Sequence, residues 1–63
     1  MSIGENVKKI RTERGIPQSK LAESVGITQS MLCQIERGTK ALSLALAKDI
    51  ADYLKCSVSD FYI

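Results

Sequence analysis

The stretch that most constrains this chain is Gln18–Arg37, QSKLAESVGITQSMLCQIER. It holds two short amphipathic patterns, Leu21, Ala22 and Val25 in the first, Leu32 and Ile35 in the second. Both use the three-and-four spacing of a helix with one buried face. Only Gly26-Ile27-Thr28 lies between them. Gly26 stands where the first helix must stop, in a left-handed conformation that glycine adopts at low cost. Thr28 then offers a hydroxyl cap for the second helix. Ala22 is small where the two helices have to cross closely. A chain with this centre must pack everything else so as to hold two short helices at one sharp angle.

The remaining elements read as such packing. A first helix is expected over Ile3–Arg14, opened by a Ser2/Glu5 capping box, with Ile3, Val7 and Ile10 as its buried stripe. Gly15 ends it, and Pro17 presets the start of a second helix over Gln18–Val25. A third spans Gln29–Arg37 and stops at Gly38. Ser43 caps a fourth over Leu44–Lys55, with Leu44, Ala47, Ile50, Ala51 and Leu54 inward and Leu46 left over as an exposed apolar residue. Ser57 and Asp60 form a second capping box for a short helix ending at Phe61-Tyr62-Ile63. The expected fold is an all-α, compact five-helix domain, residues 1–63, with a single core that also takes in Leu21, Ala22, Val25, Ile27, Leu32, Ile35, Val58 and Phe61.

Composition narrows the chemistry. A chain of 63 residues buries only about 60% of its unfolded surface and should be of modest stability. No apolar run approaches the ~20 residues that cross a bilayer, and the N-terminus lacks a basic-then-apolar leader, so a cytoplasmic protein without membrane partners is expected. There is no histidine, and Cys33 and Cys56 are far apart with no CxxC pair, so neither a Cys/His metal site nor a disulfide is expected. Cys56, flanked by Leu54 and Val58, reads as a small core residue. With no nucleophile–base pair and no glycine-rich phosphate loop, neither catalysis nor a cofactor is indicated. The net charge is +2, with the positive surplus lying within the first forty residues. That asymmetry suits a polyanion but does not require one.

Two helices with this turn form a helix-turn-helix, a motif that commonly places its second helix in the DNA major groove. At ~100° per residue, Leu32 and Ile35 turn the third helix inward, so Ser30, Cys33, Gln34 and Arg37 face outward. Gln29 lies to one side, and Met31 and Glu36 flank the buried stripe. The outward face carries amides, a hydroxyl, a thiol and a guanidinium, but no acid that phosphate would repel. Gln29 and Gln34 are the candidates for adenine edges, a good bidentate pair giving roughly 1–3 kcal/mol of discrimination. Ser30 is a third base contact, and Cys33 a fourth that could meet a thymine methyl. A redox role for Cys33 lacks a resolving cysteine nearby.

The segments IGENVKKIRTERGIPQSKLAESVGITQSMLCQIERG and SLALAKDIADYLKCSVSDF resemble the Cro/cI-type (xenobiotic-response-element) helix-turn-helix family of phage and bacterial repressors, along the whole chain. The matching positions are Arg11, Gly15, Gln18, Leu21, Ala22, Gly26, Ile27, Gln34-Ile35-Glu36, Gly38, Leu44, Ile50-Ala51 and Leu54. The resemblance implies a lambda-repressor-like fold and sequence-specific binding of double-stranded DNA by a transcriptional regulator. It implies that Gln18 binds a phosphate and braces the recognition helix, that Gln29, Ser30 and Gln34 read bases, and that Arg11 pairs with Glu36. Thr28, Arg37, Lys40 and Arg14 are the further phosphate candidates. The chain departs from the family at Pro17, where a capping side chain is usual, in the thin basic loop after the third helix, and at Ala45-Leu46.

A module this small contacts little DNA, and two copies spaced one helical turn apart would solve that. The candidate homodimer interface is Phe61, Tyr62 and Ile63 with Leu46, although Phe61 also suits the core. The competing reading is an antitoxin-like or other interaction subunit that binds an unknown protein through the same apolar end, with DNA binding secondary.

Overall fold

The computed structural model describes residues 2–62. Its elements follow as α1 (Ile3–Glu13), α2 (Gln18–Ser24), α3 (Gln29–Arg37), α4 (Leu44–Leu54) and a closing 3-10 turn (Val58–Phe61). The architecture is all-helical, with no strand among the described residues. The expected fifth α-helix is instead a single 3-10 turn. Ser57 and Asp60 do close a capping box, but Tyr62 N–H donates back to Ser59 after three residues and the chain turns no further.

Each helix start is explained locally. The Ser2 hydroxyl accepts from Glu5 N–H at 3.1 Å while the Glu5 carboxylate accepts from Ser2 N–H at 2.9 Å. Those bonds from Ser2 hold the Glu5 carboxyl below its usual range. Thr28 caps α3 by accepting from Met31 N–H at 3.0 Å, and Ser43 caps α4 by accepting from Leu46 N–H at 3.1 Å. Pro17 opens α2 without a side-chain cap.

The ends obey one rule. At the close of α2, Ile27 N–H reaches Ala22 C=O at 3.0 Å and Gly26 N–H reaches Glu23 C=O at 3.3 Å, with Gly26 at φ 77°. This pair of bonds is a Schellman motif, and it satisfies two carbonyls that the helix leaves open. Cys56 to Ala51 and Lys55 to Asp52 repeat the pattern at the end of α4. There the left-handed residue is Lys55, at φ 59°, so α4 stops at Leu54 rather than at Lys55.

Val7, Leu21, Ala22, Leu32, Ala47, Ile50, Ala51, Leu54 and Phe61 form the buried cluster, with Ile35 beside it. Ile3, Ile10, Val25, Ile27 and Val58 cover its margins. Two assignments in α4 are reversed. Leu46 packs on the core in one stripe with Ile50 and Leu54, each four residues on, whereas Leu44, at the first position of α4, is 70% exposed. Phe61 is fully buried and its carbonyl accepts from the Asn6 side-chain amide at 2.9 Å. That bond ties α1 to the closing turn and removes Phe61 from any outer interface.

α1 and α3 approach so closely that only glycine fits at their crossing. A Cβ on Gly4 would lie 1.8 Å from the Ile35 carbonyl oxygen. The crossing matters for function because it sets how far α3 stands out from the body.

Candidate nucleic-acid interface

α3 is held from behind by Leu32 and Ile35, both buried, and by Glu36, also buried although charged. Its other side presents Gln29, Ser30, Gln34 and Arg37, all exposed. Ser30, Gln34 and Arg37 are thus exposed as expected, and so is Gln29, which was expected to one side. Cys33 is only half-buried and less prominent than a helical wheel suggests, and its sulfur accepts from Arg37 Nη2 at 3.3 Å. Thr28 and Lys40 are exposed at the two ends of the helix. The loop after α3 folds back on it, with Thr39 Oγ1 donating to the Gln34 carbonyl at 3.2 Å.

Glu36 is the centre of a hydrogen-bond network. Arg11 Nε donates to Glu36 Oε2 at 2.7 Å and Arg11 Nη2 to Glu36 Oε1 at 3.1 Å, a bidentate pair. Arg11 Nη1 donates to the Ile16 carbonyl at 2.8 Å, which fastens the α1–α2 loop to the same pair. Gln18 Nε2 donates to Glu36 Oε1 at 2.9 Å, and Gln18 Oε1 accepts from Gln29 Nε2 at 3.4 Å. The network thus runs from the buried pair out to the first residue of α3. The Arg11–Glu36 pairing matches expectation. The Gln18–Glu36 bond gives a partner to the bracing of α3 that the resemblance implies for Gln18.

Arg14 stands elsewhere. Its Nε donates to the Leu54 carbonyl at the end of α4, at 2.8 Å. It lines a cleft with Lys9, Glu13, Cys56 and Asp60 to which α3 contributes no residue. It thereby braces the end of α4. The Cys56 thiol in this cleft is pushed above its usual pKa, first by burial and then by the nearby Asp60 charge. Conversely, Lys8 and Lys9 join Arg37 along an open groove of about 800 Å³ between α1 and the end of α3. Neither lysine is among the phosphate candidates taken from the sequence. Among the described residues no cluster of acidic, Cys or His groups could hold a metal ion, and no helix is long and apolar enough to cross a membrane.

The comparisons agree with this geometry. A family model described as helix-turn-helix matches residues 7–61. The chain is 35% identical over 57 residues to the uncharacterized HTH-type transcriptional regulator YazB of Bacillus subtilis, covering 90% of itself and 83% of that protein. It is 37% identical over 59 residues to the immunity repressor protein of Bacillus phage phi105, covering 94% of itself but only 41% of the repressor. Among solved structures, the master regulator for biofilm formation SinR in complex with DNA is similar at a TM-score of 0.89 and 32% identity. That likeness covers 97% of this chain and 98% of the chain in that structure.

Proposed function

The chain belongs to the helix-turn-helix family of DNA-binding transcriptional regulators, and from that premise we propose that it is a dimeric repressor reading a two-fold-symmetric operator with α3. The observation that carries this reading is the division of α3. Its exposed side carries Gln29, Ser30, Gln34 and Arg37 without an acid, while its one acid, Glu36, is turned inside and neutralised by Arg11. A phosphate-lined groove would meet donors along that surface and no repulsion. Gln29, Ser30 and Gln34 reach base edges, with Cys33 beside them. Gln18, Thr28, Arg37 and Lys40 contact backbone phosphates, and Lys8 and Lys9 add charge at the flank.

Selection from randomised duplexes followed by binding to each single-base variant of the selected site tests this reading. The expected product is a palindrome with half-sites one helical turn apart. Gln29→Ala and Gln34→Ala should each lose discrimination at a separate position, by about 1–3 kcal/mol. Recovery of no symmetric site would overturn the proposal.

A single protomer measures 25 × 24 × 20 Å, less than the ~34 Å repeat of the duplex, which favours two copies side by side. With Phe61 buried and Leu46 packed inward, the exposed apolar groups left for that contact are Tyr62, 48% exposed, and Leu44. Ile63 lies outside the described residues. Leu44→Glu with Tyr62→Ala should therefore give a monomer by sedimentation with a nearly unchanged melting curve, since neither residue supports the core. An unchanged sedimentation coefficient sinks this interface.

A further inference from the structure

We propose that the cleft between α1 and the closing turn binds a small zwitterion, an α-amino acid with an apolar side chain. Arg14 holds its carboxylate, and Glu13 and Asp60 hold its ammonium group. The cleft has a volume of about 450 Å³, within the ~300–1,000 Å³ range of small-molecule sites. α3 contributes no residue to it, so the inference does not depend on how DNA is read.

The guanidinium of Arg14 is set in place beforehand. Its Nε donates to the Leu54 carbonyl at 2.8 Å, which fixes the group at the end of α4. Neither of its terminal nitrogens has a partner among the described residues, and these two form the fork that matches a carboxylate. Lys9 and Glu13 stand four residues apart on α1 with the lysine first, the weaker order for a helical pair. No ion pair joins them, so both charges stay open to the cleft. Asp60 lines it from the closing turn. Its Oδ2 accepts from Ser57 N–H at 2.9 Å, which leaves Oδ1 for a second donor. Ile10 and Cys56 supply the apolar part of the lining. Burial raises the pKa of the Cys56 thiol, Asp60 raises it further and Arg14 lowers it, so charges of both signs act on a thiol that stays neutral.

Charge balance then selects the ligand. A simple anion would meet Glu13 and Asp60, and a simple cation would meet Lys9 and Arg14. A molecule whose ammonium and carboxylate are separated by one carbon satisfies both signs at once, and an apolar side chain covers Ile10 and Cys56. Bound in this way it joins α1 to the closing turn, so binding stabilises the fold.

Calorimetric titration and thermal denaturation of the full chain, with leucine, valine, methionine and phenylalanine at millimolar concentration, test the proposal. At least one should give saturable heat and raise Tm as its concentration rises. Its N-acetyl derivative lacks the ammonium and its amide lacks the carboxylate. Each should bind about tenfold or more weakly, because charge-assisted hydrogen bonds are lost. Arg14→Lys keeps the charge without the fork, and Glu13→Gln keeps the shape without the charge; each should weaken binding by about tenfold. Glu13 is exposed, so Glu13→Gln carries the test if Arg14→Lys does not fold. Saturable binding by none of the four overturns the proposal. Equal binding of the N-acetyl derivative reveals a plain carboxylate site and overturns it too. So does binding that neither variant weakens, because the ligand then sits elsewhere.

Discussion

Gly4→Ala is expected to melt well below wild type, against the trend that helix propensity sets. In an open helical position alanine gains up to about 1 kcal/mol over glycine. At Gly4 the added Cβ would sit 1.8 Å from the Ile35 carbonyl oxygen, 2.9 Å from its carbonyl carbon and 3.1 Å from the Glu36 carbonyl carbon. All three are backbone atoms inside α3, so no rotamer change relieves the contact. α1 must move away by more than an ångström, and the gap opens along a crossing that is close-packed. Overpacking of this kind costs about 1–3 kcal/mol, occasionally more, and here the displaced helix also carries Arg11. The steric cost exceeds the propensity gain, giving a net loss of about 2 kcal/mol. For a domain of this size that lowers Tm by roughly 8–16 °C. Thermal denaturation by circular dichroism checks it, and a Tm equal to or above wild type would show that α1 does not lie this close to α3. Gly4→Val should be worse, because the crowding grows while the propensity gain shrinks.

Gly4 also shows where reading a sequence stops. Periodicity located α3 to the residue and placed α1, α2 and α4 to within one, because apolar spacing, caps and glycine stops all act within a few residues of one another. A glycine inside a helix has no such local mark: its reason is the Ile35 carbonyl, more than thirty residues away in the chain. Asn6 is hidden for the same cause, since it is buried for the sake of the Phe61 carbonyl. Lys55 misled by the absence of a signal. It takes the left-handed stop that glycine takes after the other three helices, so nothing marks the boundary after Leu54. Leu44 and Leu46 were exchanged because two leucines at the start of a helix give the wheel little to choose between, and the choice depends on which one the core can reach. On α3, the outward direction of Ser30, Gln34 and Arg37 followed from Leu32 and Ile35 alone, whereas Cys33, expected outward with them, is half-buried. The resemblance implied that Gln18 braces α3, but that the brace ends on the buried Glu36 carboxylate required coordinates.

Arg11→Ala and Glu36→Ala should each unfold a large share of the molecules at physiological temperature, yet replacing both residues together should not. The pair is nearly sealed from water, with side chains 9% and 3% exposed. Removing one partner leaves the other desolvated without its counter-charge, which costs about 3–5 kcal/mol. At about 0.05–0.15 kcal/mol per residue a chain this short is worth roughly 3–9 kcal/mol in all, and the single loss takes much of it. The consequences differ in detail. Glu36→Ala strands the Arg11 guanidinium with only the Ile16 carbonyl and leaves Gln18 Nε2 without its acceptor, whereas Arg11→Ala leaves the carboxylate with Gln18 alone. Substituting Arg11→Met with Glu36→Leu removes both charges and fills the space, an exchange that is often neutral or stabilising. Its Tm should return close to wild type. If both single alanine variants melt like wild type, the pair is not structural. If the double variant stays as unstable as the single ones, lost packing rather than a stranded charge explains their low Tm.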